Sequence, residues 1–149
     1  MDLKQEIHFR YTQQVQDKID ACTDFIRGLT VDAQNDAKGS AGDKHETALS
    51  MMHLEQEKSN QKLLEFYAQK AILAKINPTE KAKHVGLGSL VRVNQLVLFI
   101  STALPKLVVE QETVFAISPQ SPLGSQIHGK SAGYCFEMDG KSYTIHTVD

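Results

Sequence analysis

Tryptophan is absent from these 149 residues, cysteine occurs twice and proline four times. Two cysteines cannot supply a disulfide framework or a four-ligand zinc site. Cys22 and Cys135 lie far apart with no CxxC partner, and both read as buried thiols of a reducing compartment. No apolar run approaches the 18 residues that a membrane-spanning helix needs. The longest, Leu96–Ile100, is of strand length. The opening MDLKQEIHFR has no apolar core of a secretory signal, so a cytoplasmic location is expected. An excess of positive charge is missing too. Residues 1–76 carry ten Lys and Arg against twelve Asp and Glu, and residues 77–149 carry six of each. Neither half has the basic surplus that strong, sequence-independent nucleic-acid binding requires.

What is present fits a folded chain. Hydrophobic residues make up 41% and charged residues 23%, the balance of a globular protein rather than a disordered one. The length suits one domain, or a helical pair with a small domain. Residues 3–31 contain no proline, and no glycine before Gly28. Val15, Ile19, Cys22, Ile26 and Leu29 are spaced 4, 3, 4, 3, the apolar seam of a paired helix. Leu3, Ile7 and Tyr11 extend it backwards. Residues 32–42, DAQNDAKGSAG, predict a turn. A second helix is predicted over 46–75, with Met51, Met52, Leu54, Leu63, Leu64, Phe66, Tyr67, Ile72 and Leu73 as its apolar content. The polar run 55–62 interrupts its seam, and periodicity offers no reason for the gap. Two helices of about 30 residues with a short connection predict an antiparallel coiled-coil hairpin over 1–76, each arm about 45 Å long.

Asn77-Pro78 stops the second helix, and 77–84 reads as a linker. From 85 to 149 the pattern changes to strands: 89–93, 95–101, 106–110 and 113–118 are rich in β-branched and aromatic residues. Ser121 as N-cap, Pro122 in the first turn and Gly129 as a stop define one short helix. The end is a hairpin, 133–138 and 141–148 around Asp139-Gly140, the pair preferred by a type I′ turn. Alternation predicts that Tyr143, Ile145 and Thr147 share the buried face. The fold class is therefore α+β, a helical hairpin followed by a small, mostly antiparallel sheet with one short helix.

The chemistry concentrates where the two helices join. Asp43 and Glu46 are three apart, so a helix presents both on one face. Two carboxylates at such a tip suit a hard cation such as Mg²⁺. The same D-x-x-E at a helix start is also close to a capping box, with Asp43 as cap and Glu46 reaching back. His45 and His53 lack the companions of a structural zinc site and read as surface histidines. Lys38 and Lys44 read as solvated charges near the tip.

The arrangement resembles the Gre transcript-cleavage factors of bacterial RNA polymerase. Gly42-Asp43-x-x-Glu46-x-Ala48 looks like that family's G-D-x-x-E-N-A signature. Ile117-Ser118-x-x-Ser121-Pro122-Leu123 with Gly129-Lys130 looks like the I-S-x-x-S-P run that ends in G-K, and Gly88 with Val91 resembles the G-x-x-V that opens the same domain. The resemblance implies an FKBP-like fold for 85–149 and a hairpin that enters the polymerase secondary channel. It implies that Asp43 and Glu46 help hold a second Mg²⁺, shared with the polymerase and not bound stably by the factor alone. The polymerase then hydrolyses the 3′ end of backtracked RNA, so the chain is an accessory factor rather than an enzyme. The resemblance further implies docking through Gln120, Ser121 and Pro122, RNA polymerase as partner, the RNA 3′ end as an indirect one, no membrane and a monomer. Thr47 stands where the family has Asn, and Leu49-Ser50 replaces an acidic–aromatic pair. These departures keep open a non-cleaving regulator that occludes the same channel. Prolyl isomerisation by the sheet domain, or a coiled-coil adaptor role, are the readings outside this class.

Overall fold

The computed structural model describes the backbone of residues 1–39 and 43–149, and the side chains of 1–32 and 46–149. Two long helices are followed by a six-stranded, mostly antiparallel sheet and one short helix, an α+β architecture. Two compact units form. One comprises Gln13–Lys70, the other Met1–Thr12 together with Ala71–Asp149.

Helix α1 spans Leu3–Gly39. It opens with a reciprocal cap: Gln5 N donates to Asp2 Oδ1, and Asp2 N donates to Gln5 Oε1, both at 2.9 Å. This D-x-x-Q capping box satisfies two otherwise orphaned groups. The helix continues past the turn predicted from residue 32. Ala and Gln in that stretch favour helix, and the two glycines that mark a break stand only at positions 39 and 42. Helix α2 spans Asp43–Ala74. Its last turn tightens, with Lys75 N and Ile76 N donating to the carbonyls three residues back, Ile72 and Leu73, before Pro78 forbids continuation.

Within the unit Gln13–Lys70, the helices run antiparallel. Cys22 Sγ donates to the Ser59 carbonyl at 3.2 Å, and Gln56 Nε2 donates to Thr30 Oγ1 at 3.0 Å. These contacts explain the polar gap in α2. Seam positions there are Gln56 and Ser59, and Ser59 is buried. A small side chain lets the Cys22 sulfur reach the α2 backbone, and an amide replaces an apolar knob one turn on. Three expectations change. Met51, Leu54 and Leu64 are exposed, because they fall outside the row Met52, Gln56, Ser59, Leu63, Phe66. Cys22 is only half-buried, and Cys135 is exposed, since it points away from the core on β5.

In the other unit the strands are β1 (Leu90–Val93), β2 (Leu96–Ile100), β3 (Leu104–Val109), β4 (Glu112–Ile117), β5 (Cys135–Met138) and β6 (Lys141–Val148), with α3 (Pro122–Ile127) between β4 and β5. Their order is β3-β4-β2-β1-β6-β5. All neighbours are antiparallel except β2 and β4, which run parallel. One face packs Val91, Val93, Leu98, Ile100 and Ile145 against Ile127 of α3 and Phe136 of β5. The opposite face presents Phe99, which the first turns of α1 cover. The Tyr11 ring stacks on Phe99, and the His8 ring meets it edge-on. His8 Nε2 also donates to the Leu73 carbonyl at 2.8 Å. Lys4 Nζ donates to the carbonyls of Glu80 and Asp149 at 2.6 and 3.1 Å. Burial lowers the affinity of this buried ammonium for its proton, and the two carbonyls are its compensation.

The β5–β6 hairpin turns at Asp139 and Gly140, both left-handed, as the type I′ preference predicts. The alternation of β6 breaks near its end. Arg92 pairs with Thr147 but Val93 pairs with Ile145, so the strand bulges at His146. A bulge inserts one residue and exchanges the faces beyond it. Val148 rather than Thr147 therefore packs against the core.

Candidate functional site

The acidic tip starts α2. Asp43 is the first residue of the helix and Glu46 follows one turn on, so the backbone places both in its first turn. The side chain of Asp43, like those of Lys38, Lys44 and His45, lies outside the described residues, as does Gly42. The Glu46 side chain is exposed, and among the described residues it has no ion-pair partner. A carboxylate in that state keeps its oxygens available to a cation brought from outside. Among the described residues no group of three or more His, Cys, Asp or Glu side chains converges. Asp43 and Glu46 together offer two carboxylates, which suits an ion completed by water, phosphate or another protein. His53 is exposed on α2, apart from such companions.

The second site is the connection from β4 to α3, and it is tightly determined. Ser121 is the N-cap, with extended backbone (φ −64°, ψ 161°). Its Oγ accepts from Gly124 N at 3.1 Å and donates to the Ser118 carbonyl at 2.6 Å. Ser121 N donates to the same carbonyl at 3.0 Å. Ser118 Oγ accepts from Gln120 N at 3.1 Å and donates to Gln120 Oε1 at 2.6 Å. Pro122 sits in the first turn, where a missing N–H costs nothing. Gly124 allows the loop to close on itself. A Cβ there would stand 2.1 Å from the Ser118 carbonyl oxygen and 2.8 Å from Ser121 Oγ. Gln120 and Pro122 are exposed and Ser121 is half-buried. The loop thus offers an amide and a pyrrolidine ring to solvent while Ser121 holds the backbone.

The motif's end, Gly129-Lys130, is structural in part. Gly129 has φ +76°, which favours glycine. Its N–H donates to the Val85 carbonyl, and Val85 N donates to the Lys130 carbonyl, both at 2.8 Å. Lys130 Nζ stands 4.9 Å above the Tyr134 ring, a cation–π contact. Tyr134, Phe136 and Tyr143 form a stacked row behind it.

The sequence names Ser118 within the Ile117-Ser118-x-x-Ser121-Pro122 motif but gives it no role, and Gly124 is not singled out; both fix the geometry of Gln120, Ser121 and Pro122. The signal was available: a Ser three residues before a capping Ser, and a Gly three residues after it. No helix among the described residues is long and apolar enough to cross a membrane. No protein-family model matches the chain, and no curated protein matches it in sequence.

Proposed function

We propose that this chain is a Gre-like accessory factor of RNA polymerase, whose helical arm enters the secondary channel and stimulates Mg²⁺-dependent cleavage of backtracked RNA. The observation that carries this reading is the exposed Glu46 in the first turn of α2, without an ion-pair partner among the described residues and three residues after Asp43. The parts of the two helices that lie in the unit Gln13–Lys70, residues 13–39 and 43–70, are about 40 and 42 Å long at 1.5 Å per residue, a reach that suits a deep channel. On this reading the arm is a coiled coil. The row Met52, Gln56, Ser59, Leu63 and Phe66 repeats the 4, 3, 4, 3 spacing of Val15, Ile19, Cys22, Ile26 and Leu29. The sheet and α3 are then an FKBP-like domain that docks through Gln120, Ser121 and Pro122.

Asp43 and Glu46 would hold the ion through oxygen, in company with groups of the polymerase. Bound there, Mg²⁺ lowers the pKa of attacking water and stabilises charge on the scissile phosphate. The chain's own part is to deliver two carboxylates on one helical face and to stay rigid behind them. It makes and breaks no covalent bond itself.

The test adds the protein to backtracked elongation complexes with Mg²⁺ and follows release of short 3′ RNA fragments. Asp43→Asn keeps a good helix cap but removes the ligand charge. We expect it, and Glu46→Gln, to lower fragment release about a hundredfold, the scale of losing one electrostatic group at a reacting centre. Thr47 and Leu49-Ser50 favour a second reading, the non-cleaving regulator. It is the outcome if the unmodified protein releases no fragments yet slows extension or displaces a cleaving factor.

A further inference from the structure

We propose that this chain holds a phosphate-sized oxyanion in a small polar cavity where the start of α1, the end of α2 and the linker meet. The cavity lies wholly within the unit formed by Met1–Thr12 and Ala71–Asp149 and has a volume of about 120 Å³. Lys4 of α1 and Lys75 just past α2 line it, with Asn77, Glu80 and Lys81 of the linker and Ser89 before β1. Three ammonium groups thus share it with one carboxylate. None of the three lysines forms an ion pair among the described residues, and the side chains of Lys75 and Lys81 form no hydrogen bond there. Glu80 is turned to Asn77, whose Nδ2 donates to its Oε1 at 3.4 Å.

Lys4 is the buried member of the set, only 7% exposed. An ammonium has three N–H donors. Two go to the carbonyls of Glu80 and Asp149, and the third has no partner among the described residues. Burial disfavours the charged form of Lys4 more than the carboxylates of Asp149, Asp2 and Glu80 favour it, and Lys81 adds repulsion. The surroundings are therefore short of negative charge although acids stand near. A bound anion supplies both the missing acceptor and the missing charge. Completing α2 does not occupy these ammonium groups. The Leu73 carbonyl already accepts from Ile76 N and from His8 Nε2, and the Ile72 carbonyl from Lys75 N.

The size and lining of the cavity select the ligand. Pockets for drug-sized molecules run to about 300–1,000 Å³, so this one admits a single small group such as a phosphate. Its lining has no aromatic ring on which a nucleobase could stack. Three ammonium groups repel a metal cation, whereas lysine binds phosphate as a point charge on a flexible stem. Lys75 and Lys81 are exposed, so their side chains are free to close on an ion that arrives from solvent, while Lys4 waits at the buried end. This inference does not rest on the function proposed above, since it uses neither the acidic tip nor the loop before α3.

The test titrates inorganic phosphate into the full chain at constant ionic strength, with chloride as the balancing ion, and follows backbone amide resonances by NMR. We expect saturable shifts at Lys4, Asn77 and Ser89 with a dissociation constant of about 1 mM. The double variant Lys75→Gln/Lys81→Gln changes two exposed positions, so it should fold as the unmodified chain does, and it should bind about tenfold more weakly or worse. Lys83→Gln removes an exposed lysine of the same linker that does not line the cavity, and it should leave the affinity unchanged. Adenosine monophosphate, titrated in parallel, distinguishes the sources. Binding of both identifies a phosphate group that can be carried on a larger molecule, and binding of inorganic phosphate alone identifies the free ion. Shifts that do not saturate overturn the proposal. So does an affinity that the double variant retains, or one that Lys83→Gln lowers as much.

Discussion

The Tyr11 ring lies flat over Phe99, with centroids 6.1 Å apart and planes within 4° of parallel, while its hydroxyl donates to the Pro105 carbonyl at 2.8 Å. One side chain of α1 thereby covers the centre of the sheet and satisfies an acceptor on its edge strand β3. Arg10 reaches the same strand at the Val108 carbonyl, 3.4 Å away. An edge held in this way is less open to pairing with another chain.

Tyr11→Phe should cost about 1 kcal/mol, the usual worth of a buried neutral hydrogen bond, and Tyr11→Ala about 3–5 kcal/mol with a cavity over Phe99. Urea titration separates the two. A pH signature accompanies them. Burial pushes the Tyr11 hydroxyl up to about 12 from 10.0. A group whose folded pKa is raised contributes stability that is complete below its unfolded pKa and lost as pH rises through the folded one. Stability should fall between pH 10 and 12, and Tyr11→Phe should remove that fall.

Arg92 and Glu112 form a two-pronged ion pair across the sheet, at 2.7 and 3.0 Å. The hydrogen bond from the guanidinium holds the Glu112 carboxyl below its usual range. A depressed carboxyl contributes stability above its unfolded pKa of about 4.5 and loses it as pH falls through the folded value. Stability should decline below about pH 4.5 in the unmodified chain, and Glu112→Gln should flatten that part of the curve. Both groups are partly exposed, so the effect is small and salt weakens it.

The loop before α3 separates folding from docking. Ser121→Ala should cost about 1 kcal/mol as a lost cap, whereas Ser121→Asn should retain stability. If the loop is a docking surface, Asn at 121 should still weaken polymerase binding, because its carboxamide presents a different shape. Gly124→Ala should be worse than either for stability, about 2–3 kcal/mol, since the Ser118 carbonyl and Ser121 must both move. Thermal unfolding and a polymerase pull-down with the same three proteins check all of this.

One change should stabilise. The β3–β4 turn is made by Glu110 and Gln111, both left-handed at φ 51° and 67°, the geometry of a type I′ turn without the residues that suit it. Replacing the pair by Asn-Gly should raise stability by about 0.5–1 kcal/mol by removing strain at two non-glycine positions. A higher urea midpoint with an unchanged slope is the expected reading.

The strands were legible because β-branched and aromatic runs between turn residues carry their own signal, and Asp139-Gly140 marks its turn without help. The helix boundaries were less so. Residues 32–39 are polar and small yet do not break α1, because no proline or early glycine intervenes. Periodicity showed that Ile7 and Tyr11 lie on an apolar stripe, but it cannot say that Phe99, 88 positions further on, is what Tyr11 meets. The polar stretch of α2 defeated pattern reading for a related reason. Ser59 serves the seam through its backbone carbonyl, and a backbone atom leaves no trace in the sequence. Of the candidate site, Glu46, Gln120 and Pro122 are exposed. The supporting roles of Ser118, which the motif includes, and of Gly124 are seen in hydrogen bonds and a close approach.

The cover that α1 lends to Phe99 bears on the order of assembly during synthesis. Tyr11 leaves the ribosome well before the ring that it covers, since β2 follows some ninety residues later, and Lys4 waits for Asp149. Contacts of such separation form slowly. The nascent chain must therefore carry an uncovered aromatic stripe for most of its synthesis, and a fragment that begins at the linker would leave Phe99 bare. The sheet is not a cassette that can be moved to another protein without the first three turns of the helix that precedes it.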